Sequence, residues 1–307
     1  MISFLLLQQI VKLFLILLLG FLLVRFRLLK SEDSRVLSVV TLYLVVPCTI
    51  VNSFQIEFTR DRVQGMLLSF GTAILIHAIY ITLTHCLRRP LCLTPVEQAS
   101  AIYSNTGNLV IPLVLAILGS EWVIYSSMFV IVQQPLFWSH CRILVSGERE
   151  VSWKKVLLNV NILSVLVGAA LFFLQIPIPS IVKEAMSSVS SMIGPICMIV
   201  AGMLMGNVDF KAVLCRPGVW KVAALRLLAY PLLILSILKF TPLSALAPNG
   251  ETILLISLLA AGTPTAFTVT QLAQIYDKDG EYAGAINVVT TLLCLVTIPA
   301  LAALYQL

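Results

Sequence analysis

The chain has 307 residues, of which 59% are apolar and only 11% charged, and its mean hydropathy is +1.01. A soluble domain averages about 25% charged residues, so the composition excludes a soluble globular protein. The formal charge of +6 needs no nucleic-acid partner, because basic residues gather in the cytoplasmic loops of membrane proteins.

Apolar runs long enough to cross about 30 Å of hydrocarbon as helices recur from end to end. Period-two alternation is absent, which excludes an outer-membrane barrel. The reading is an all-α integral membrane protein of ten transmembrane helices over 5–24, 36–54, 64–87, 96–118, 122–145, 157–174, 186–206, 218–240, 252–275 and 282–305. The first run is read as a retained helix rather than a signal peptide, since Lys12 interrupts it and no basic stretch precedes it. With both termini outside, Arg25, Arg27, Lys30 and Arg35, then Arg88 and Arg89, then Arg142, Arg149, Lys154 and Lys155, then Lys211, Arg216 and Lys221, and Lys278 all fall in the cytoplasm. Only Arg60, Arg62, Lys183 and Lys239 then lie outside, a contrast that fits a multi-pass protein of the cell (inner or plasma) membrane.

The polar connection around Ser146 to Lys155 divides the chain into residues 1–146, a cytoplasmic linker 147–156, and residues 157–307. Each part holds five helices, an odd number, so the second enters the membrane in the opposite sense. Landmarks recur in order: Pro47 and Pro195, an interrupted fourth and an interrupted ninth helix, Pro135 and Pro299. The pattern predicts two inverted five-helix repeats.

In the fourth helix the run Tyr103-Ser104-Asn105-Thr106-Gly107-Asn108-Leu109-Val110-Ile111-Pro112 interrupts the apolar text; in the ninth, Gly262-Thr263-Pro264-Thr265 does so near the same depth. Gly lacks a Cβ, Pro lacks a donor and Asn competes for backbone groups, so the helices are expected to unwind at Asn105–Pro112 and at Gly262–Thr265. Unpaired backbone in hydrocarbon costs several kcal/mol per group, so such breaks persist where protein encloses them. Half-helix amino termini favour an anion and carboxyl ends a cation. The candidate substrate-binding set is therefore Asn105, Thr106, Gly107, Asn108, Pro112, Gly262, Thr263, Pro264 and Thr265, with Gln133, Gln134, Asn287 and Thr290 as candidate cavity-lining residues. The competing reading is that Gly and Pro merely kink two packed helices.

Outside these stretches the polar groups have plain readings. No Asp or Glu falls in the middle third of a span, which disfavours exchange through a buried carboxylate. Arg226, a turn or so from Lys221, either snorkels to the cytoplasmic surface or contributes to an anion path. His77 reads as a packing residue before a proton relay. The seven cysteines are odd in number and lack metal-type spacing, so they read as packing residues with no metal site.

The stretch from Ser104 to Leu113 followed by Leu118-Gly119, and the stretches Gly262-Thr263-Pro264, Gln271 to Tyr276, Thr290-Thr291-Leu292 and Ile298-Pro299, resemble the auxin efflux carrier family. That family includes plant PIN-formed auxin carriers and bacterial organic-acid carriers such as malonate transporters. The resemblance implies a fold related to the bile acid sodium symporters, in which helices 1, 2, 6 and 7 form a scaffold and helices 3–5 and 8–10 a moving core containing crossed, broken helices 4 and 9. It also implies that Asn105 meets the substrate carboxylate, that Pro112 and Pro264 are the crossover prolines, and that two copies associate through the scaffold as a homodimer. The short central linker and the threonines flanking Pro264 favour a bacterial-type carrier. The expected function is thus secondary transport of small organic anions, mono- or dicarboxylates of the auxin or malonate kind, by elevator-type alternating access, and not catalysis. The alternative is a sodium-coupled symporter of the bile acid type. No cofactor is expected, and the coupling ion, Na⁺ or H⁺, stays open.

Overall fold

A computed structural model describes residues 2–148, 158–206 and 215–307. The linker 147–156, apart from its first two residues, lies outside them, as do Arg149, Lys154, Lys155 and Lys211. Among the described residues the chain is helical and has no strand. The helices are α1 (Ile2–Arg25), α2 (Ser31–Ser53), α3 (Arg60–Leu87), α4 (Pro95–Ile102), α5 (Thr106–Ile117), α6 (123–146), α7 (Val160–Leu174), α8 (Ser180–Met205), α9 (Pro217–Phe240), α10 (Gly250–Gly262), α11 (Phe267–Ile275) and α12 (Gly280–Gln306). α2, α3, α8, α9 and α12 are each long and apolar enough to cross a membrane, while α5, α7 and α10 are shorter apolar helices. α4 with α5 fills the fourth predicted span, and α10 with α11 the ninth.

Helix starts follow local chemistry. At α4 the Thr94 side chain accepts from the Glu97 amide while Glu97 accepts from the Thr94 amide, a reciprocal cap with Pro95 in the first turn. Glu97 is buried, and its Oε1 also accepts from Lys221 Nζ at 2.9 Å and Tyr282 Oη at 2.8 Å. One carboxylate thereby ties the start of α4 to α9 and α12. Widened turns at 41–45, 106–110 and 225–229 directly precede Pro47, Pro112 and Pro231. Proline withholds the donor for the carbonyl four residues back and clashes with it, and a wider turn absorbs both faults without breaking the helix.

That device corrects the expected position of the first break. Gly107 and Pro112 lie within α5; the backbone leaves helical geometry only over 103–105. Pro112 is therefore a residue of the helix wall, buried two positions past a widened turn, and not a crossover proline. Pro264 does sit in its break, between the end of α10 and the start of α11.

Two packing groups flank the breaks. α1 lies along α8 at glycine distance: a Cβ on Gly20 would run into the carbonyl oxygen of Ile199, and one on Gly202 into that of Leu17. Small residues permit such approach where apolar side chains gain little by leaving lipid. α2 packs on α7 and α8, α3 packs on α6 and α10, and α12 packs on α9 and α11. Outward faces such as Leu15 and Leu19 of α1 and Leu166 and Val167 of α7 stay exposed and apolar, as lipid contact requires.

Candidate functional site: two broken helices that pair backbone to backbone

The breaks meet. Ser104 and Thr265 form an isolated antiparallel bridge, in which the Asn105 amide donates to the Pro264 carbonyl at 2.9 Å and the Ala266 amide to the Tyr103 carbonyl at 3.0 Å. Each break thus satisfies the other's main chain, which answers the desolvation cost that makes interrupted helices rare in a membrane.

Side chains complete the pairing. Gln133, buried on α6, donates through Nε2 to the Ser104 carbonyl at 2.8 Å and accepts the Ser104 hydroxyl at 2.6 Å. The Ser104 hydroxyl also lies 2.7 Å from that of Thr106. Asn287 of α12 donates to the Thr265 carbonyl at 2.6 Å, the Thr265 hydroxyl to the Ser100 carbonyl at 3.0 Å, and the Thr265 amide to the Thr290 hydroxyl at 3.3 Å. Thr263 turns its hydroxyl back onto the Ala260 carbonyl at 3.0 Å, and Tyr80 donates to the Ala261 carbonyl at 3.2 Å.

Arg226 closes the set. It is fully buried in α9 and does not snorkel. Its Nε donates to the Thr263 carbonyl at 2.9 Å, and Nη1 donates to the carbonyls of Ala101 at 3.2 Å and Ile102 at 3.1 Å. The guanidinium also lies 5.4 Å from the centre of the Tyr80 ring. The cation therefore caps the carboxyl ends of α4 and α10 together, directed to the crossover by its position on the widened turn 225–229.

The amino ends of the second half-helices behave differently. The first helical bond of α5 is Leu109 to Asn105, and that of α11 is Val269 to Ala266. The amides of Thr106, Gly107, Asn108, Phe267 and Thr268 precede those bonds and have no helical acceptor. Both ends border a chamber of about 150 Å³. Its polar lining from the crossover side is Asn105, Asn108, Thr268, Gln271, Asn287 and Thr291; α2 and α8 supply Ser38, Thr41, Leu42, Cys197, Met198 and Leu204 opposite. Among the described residues no Lys, Arg, Asp or Glu lines it. The chamber shares Ser38, Leu42, Leu204, Phe267, Gln271 and Asn287 with a larger vestibule of about 1000 Å³, whose lining also carries Glu32, Arg35, Arg216 and Glu281.

The model of the membrane transport protein family, the auxin efflux carriers, matches this chain over residues 5–150 and again over 147–302. The chain belongs to the auxin efflux carrier family. No curated protein matches the chain. The carrier is thus a multi-pass membrane protein of a family of transporters.

The carrier sorts its candidate residues by role. Asn105, Asn108, Pro264 and Asn287 line the chamber. The Asn105 side chain makes no bond to protein among the described residues, while Asn108 Oδ1 accepts a weak bond from Cys197 Sγ at 3.8 Å. Thr106, Thr263, Thr265, Thr290 and Gln133 are buried in the bonds that hold the crossover and do not line the chamber. Gly262 is packed beneath Leu301, Gly107 borders open space, and Gln134 lies apart from the chamber. The α2 and α8 lining carries only the scattered hydroxyls of Ser38 and Thr41, with no interruption like those of the fourth and ninth spans to mark it in sequence. Gln271 and Thr268 could have been found from their place one to two turns past Pro264.

Proposed function

We propose that the carrier moves a small organic anion, a short mono- or dicarboxylate, by elevator-type alternating access. The observation that carries this reading is the chamber at the crossover, where the amino ends of α5 and α11 meet amides and hydroxyls with no fixed charge. Each helix amino terminus presents about half an elementary positive charge, so two supply roughly the charge that one carboxylate brings. Neutral lining allows release, since a substrate held by a fixed ion pair at mid-membrane would leave slowly. A space of about 150 Å³ suits a molecule of about six heavy atoms, the size class of benzene. That favours malonate-sized acids over auxin-sized ones in this conformation.

The chamber lies between α2 and α8 on one side and the crossover on the other. This supports a scaffold of α1, α2, α7 and α8 against which a core of α3–α6 and α9–α12 slides, in ten membrane crossings arranged as two inverted repeats. The Ser104–Thr265 pairing, one residue from each half, fits that symmetry. The vestibule lining carries Arg35 and Arg216, residues the charge bias places in the cytoplasm, so the state is inward-open with both termini outside.

The test is a thermal-shift screen of the purified carrier against short carboxylates, followed by uptake of a labelled hit into liposomes. A ligand selective for the folded state raises the melting temperature. Stabilisation by a short carboxylate together with saturable uptake supports the reading; no shift with any acid and no uptake refutes it.

A further inference from the structure

Six carbonyls at the ends of α4 and α10 already have donors: Ser100 from Thr265, Ala260 from Thr263, Ala261 from Tyr80, and Ala101, Ile102 and Thr263 from Arg226. Two converging carboxyl ends carry about −0.5 charge each. Left alone they would draw a cation into the membrane interior, and unwound carbonyls of this kind are the groups that coordinate Na⁺ in transporters with broken helices. Here a side chain stands in that position. None of the ion pairs in the described structure involves Arg226, so its counter-charge is the pair of helix ends themselves: roughly −1 against +1. Its Nη2 is buried and unpartnered. A charge this deep persists only when it is closely compensated.

We propose that Arg226 is a built-in cation that occupies the place of a coupling cation at the crossover, so that the carrier binds its anion without sodium, and that its positive charge, beyond its hydrogen bonds, sets anion affinity. The inference rests on the anion-carrier reading. Arg226 acts as a positioning residue: it fixes the carboxyl ends of α4 and α10, which sets the facing amino ends of α5 and α11 one short linker away, and it offsets the negative ends that would otherwise oppose an anion. Its long planar fork reaches carbonyls on two helices at once, as a bound ion would.

The test separates charge from hydrogen bonding. Anion binding is measured for wild type, Arg226→Lys and Arg226→Gln in chloride salts of sodium, choline and guanidinium at equal ionic strength, with guanidinium at low millimolar concentration. Wild type and Arg226→Lys should bind equally well in sodium and choline. Arg226→Gln keeps a donor for the carbonyls but lacks charge; it should bind at least about tenfold more weakly in choline, the equivalent of about 1.4 kcal/mol, and regain affinity in sodium or guanidinium. Wild-type binding that requires sodium overturns the proposal, as does full affinity of Arg226→Gln in choline. Should Arg226→Gln fail to fold, the comparison of sodium with choline for wild type and Arg226→Lys still decides. The melting temperature of Arg226→Gln in the three salts, read without any carboxylate, keeps the proposal distinct from the carrier reading: specific stabilisation by sodium or guanidinium supports a vacated cation position, and equal values in all three contradict it.

Discussion

The amide of Asn105 donates to the carbonyl of Pro264 at 2.9 Å, so a residue whose side chain faces the chamber has its main chain fixed by the opposite broken helix. Backbone and side chain of Asn105 thus have separate duties. One holds the crossover; the other is free for a ligand.

Replacing Asn105 with Ala should therefore weaken carboxylate binding by about tenfold or more, the loss expected for one good hydrogen bond to a charged group. The melting temperature without ligand should stay close to wild type, because no protein contact of the side chain is lost. Paired binding and thermal-unfolding measurements check this, and a large stability loss would mean the side chain has a structural partner.

Gln133 should behave in the opposite way. Its amide group makes both a bond to the Ser104 carbonyl and one from the Ser104 hydroxyl in a buried setting. Gln133→Leu leaves the Ser104 carbonyl unsatisfied, at about 1–3 kcal/mol for a buried polar group, while the Ser104 hydroxyl keeps Thr106 as its partner. A marked fall in melting temperature is expected, with weaker binding as its consequence. His77, whose Nε2 lies 3.4 Å from Gln133 Oε1, should show a smaller effect when changed to Asn.

Gly20→Leu or Gly202→Leu should reduce the yield of folded carrier, since each new side chain would start inside the backbone of the facing helix. Overpacking of this kind usually costs about 1–3 kcal/mol even where backbone can shift. Gly107→Ala should be tolerated, because a Cβ there meets nothing within 4 Å. Size-exclusion profiles of the three variants distinguish these outcomes.

The interrupted helices are legible in sequence because Gly, Pro and Asn in apolar text have few other uses, yet the first break lies about a turn before the glycine and proline that mark it. Gly107 and Pro112 mark the stretch in sequence, but a helix can widen before proline and continue, while Tyr103 and Ser104 leave it with no such marker. Of the two readings of Arg226, the route to the surface is the one that its burial excludes. Its distance along the chain from Lys221 suggested a route to the surface, whereas the widened turn and the carbonyl ends of two other helices decide where it points. Thr263 and Thr265 carried hydroxyls in the right place for a ligand and spend them on backbone. The apolar half of the chamber, Leu42 and Met198 among it, has no sequence signature, because only the approach of α2 and α8 makes it a wall.

Pro264→Ala should lower carboxylate flux by about tenfold, since Ala at this position lets α10 extend toward α11 and weakens the geometry that presents the Pro264 carbonyl to Asn105. Uptake into liposomes measures it, with ligand binding as a companion readout.

The most direct measurement is a density map of the carrier in lipid with a stabilising carboxylate bound. The account predicts unwound backbone at 103–105 and 263–266, with ligand density between Asn105, Asn108 and Asn287 at the amino ends of α5 and α11. Unbroken helices through both stretches, or ligand density away from the crossover, would contradict it.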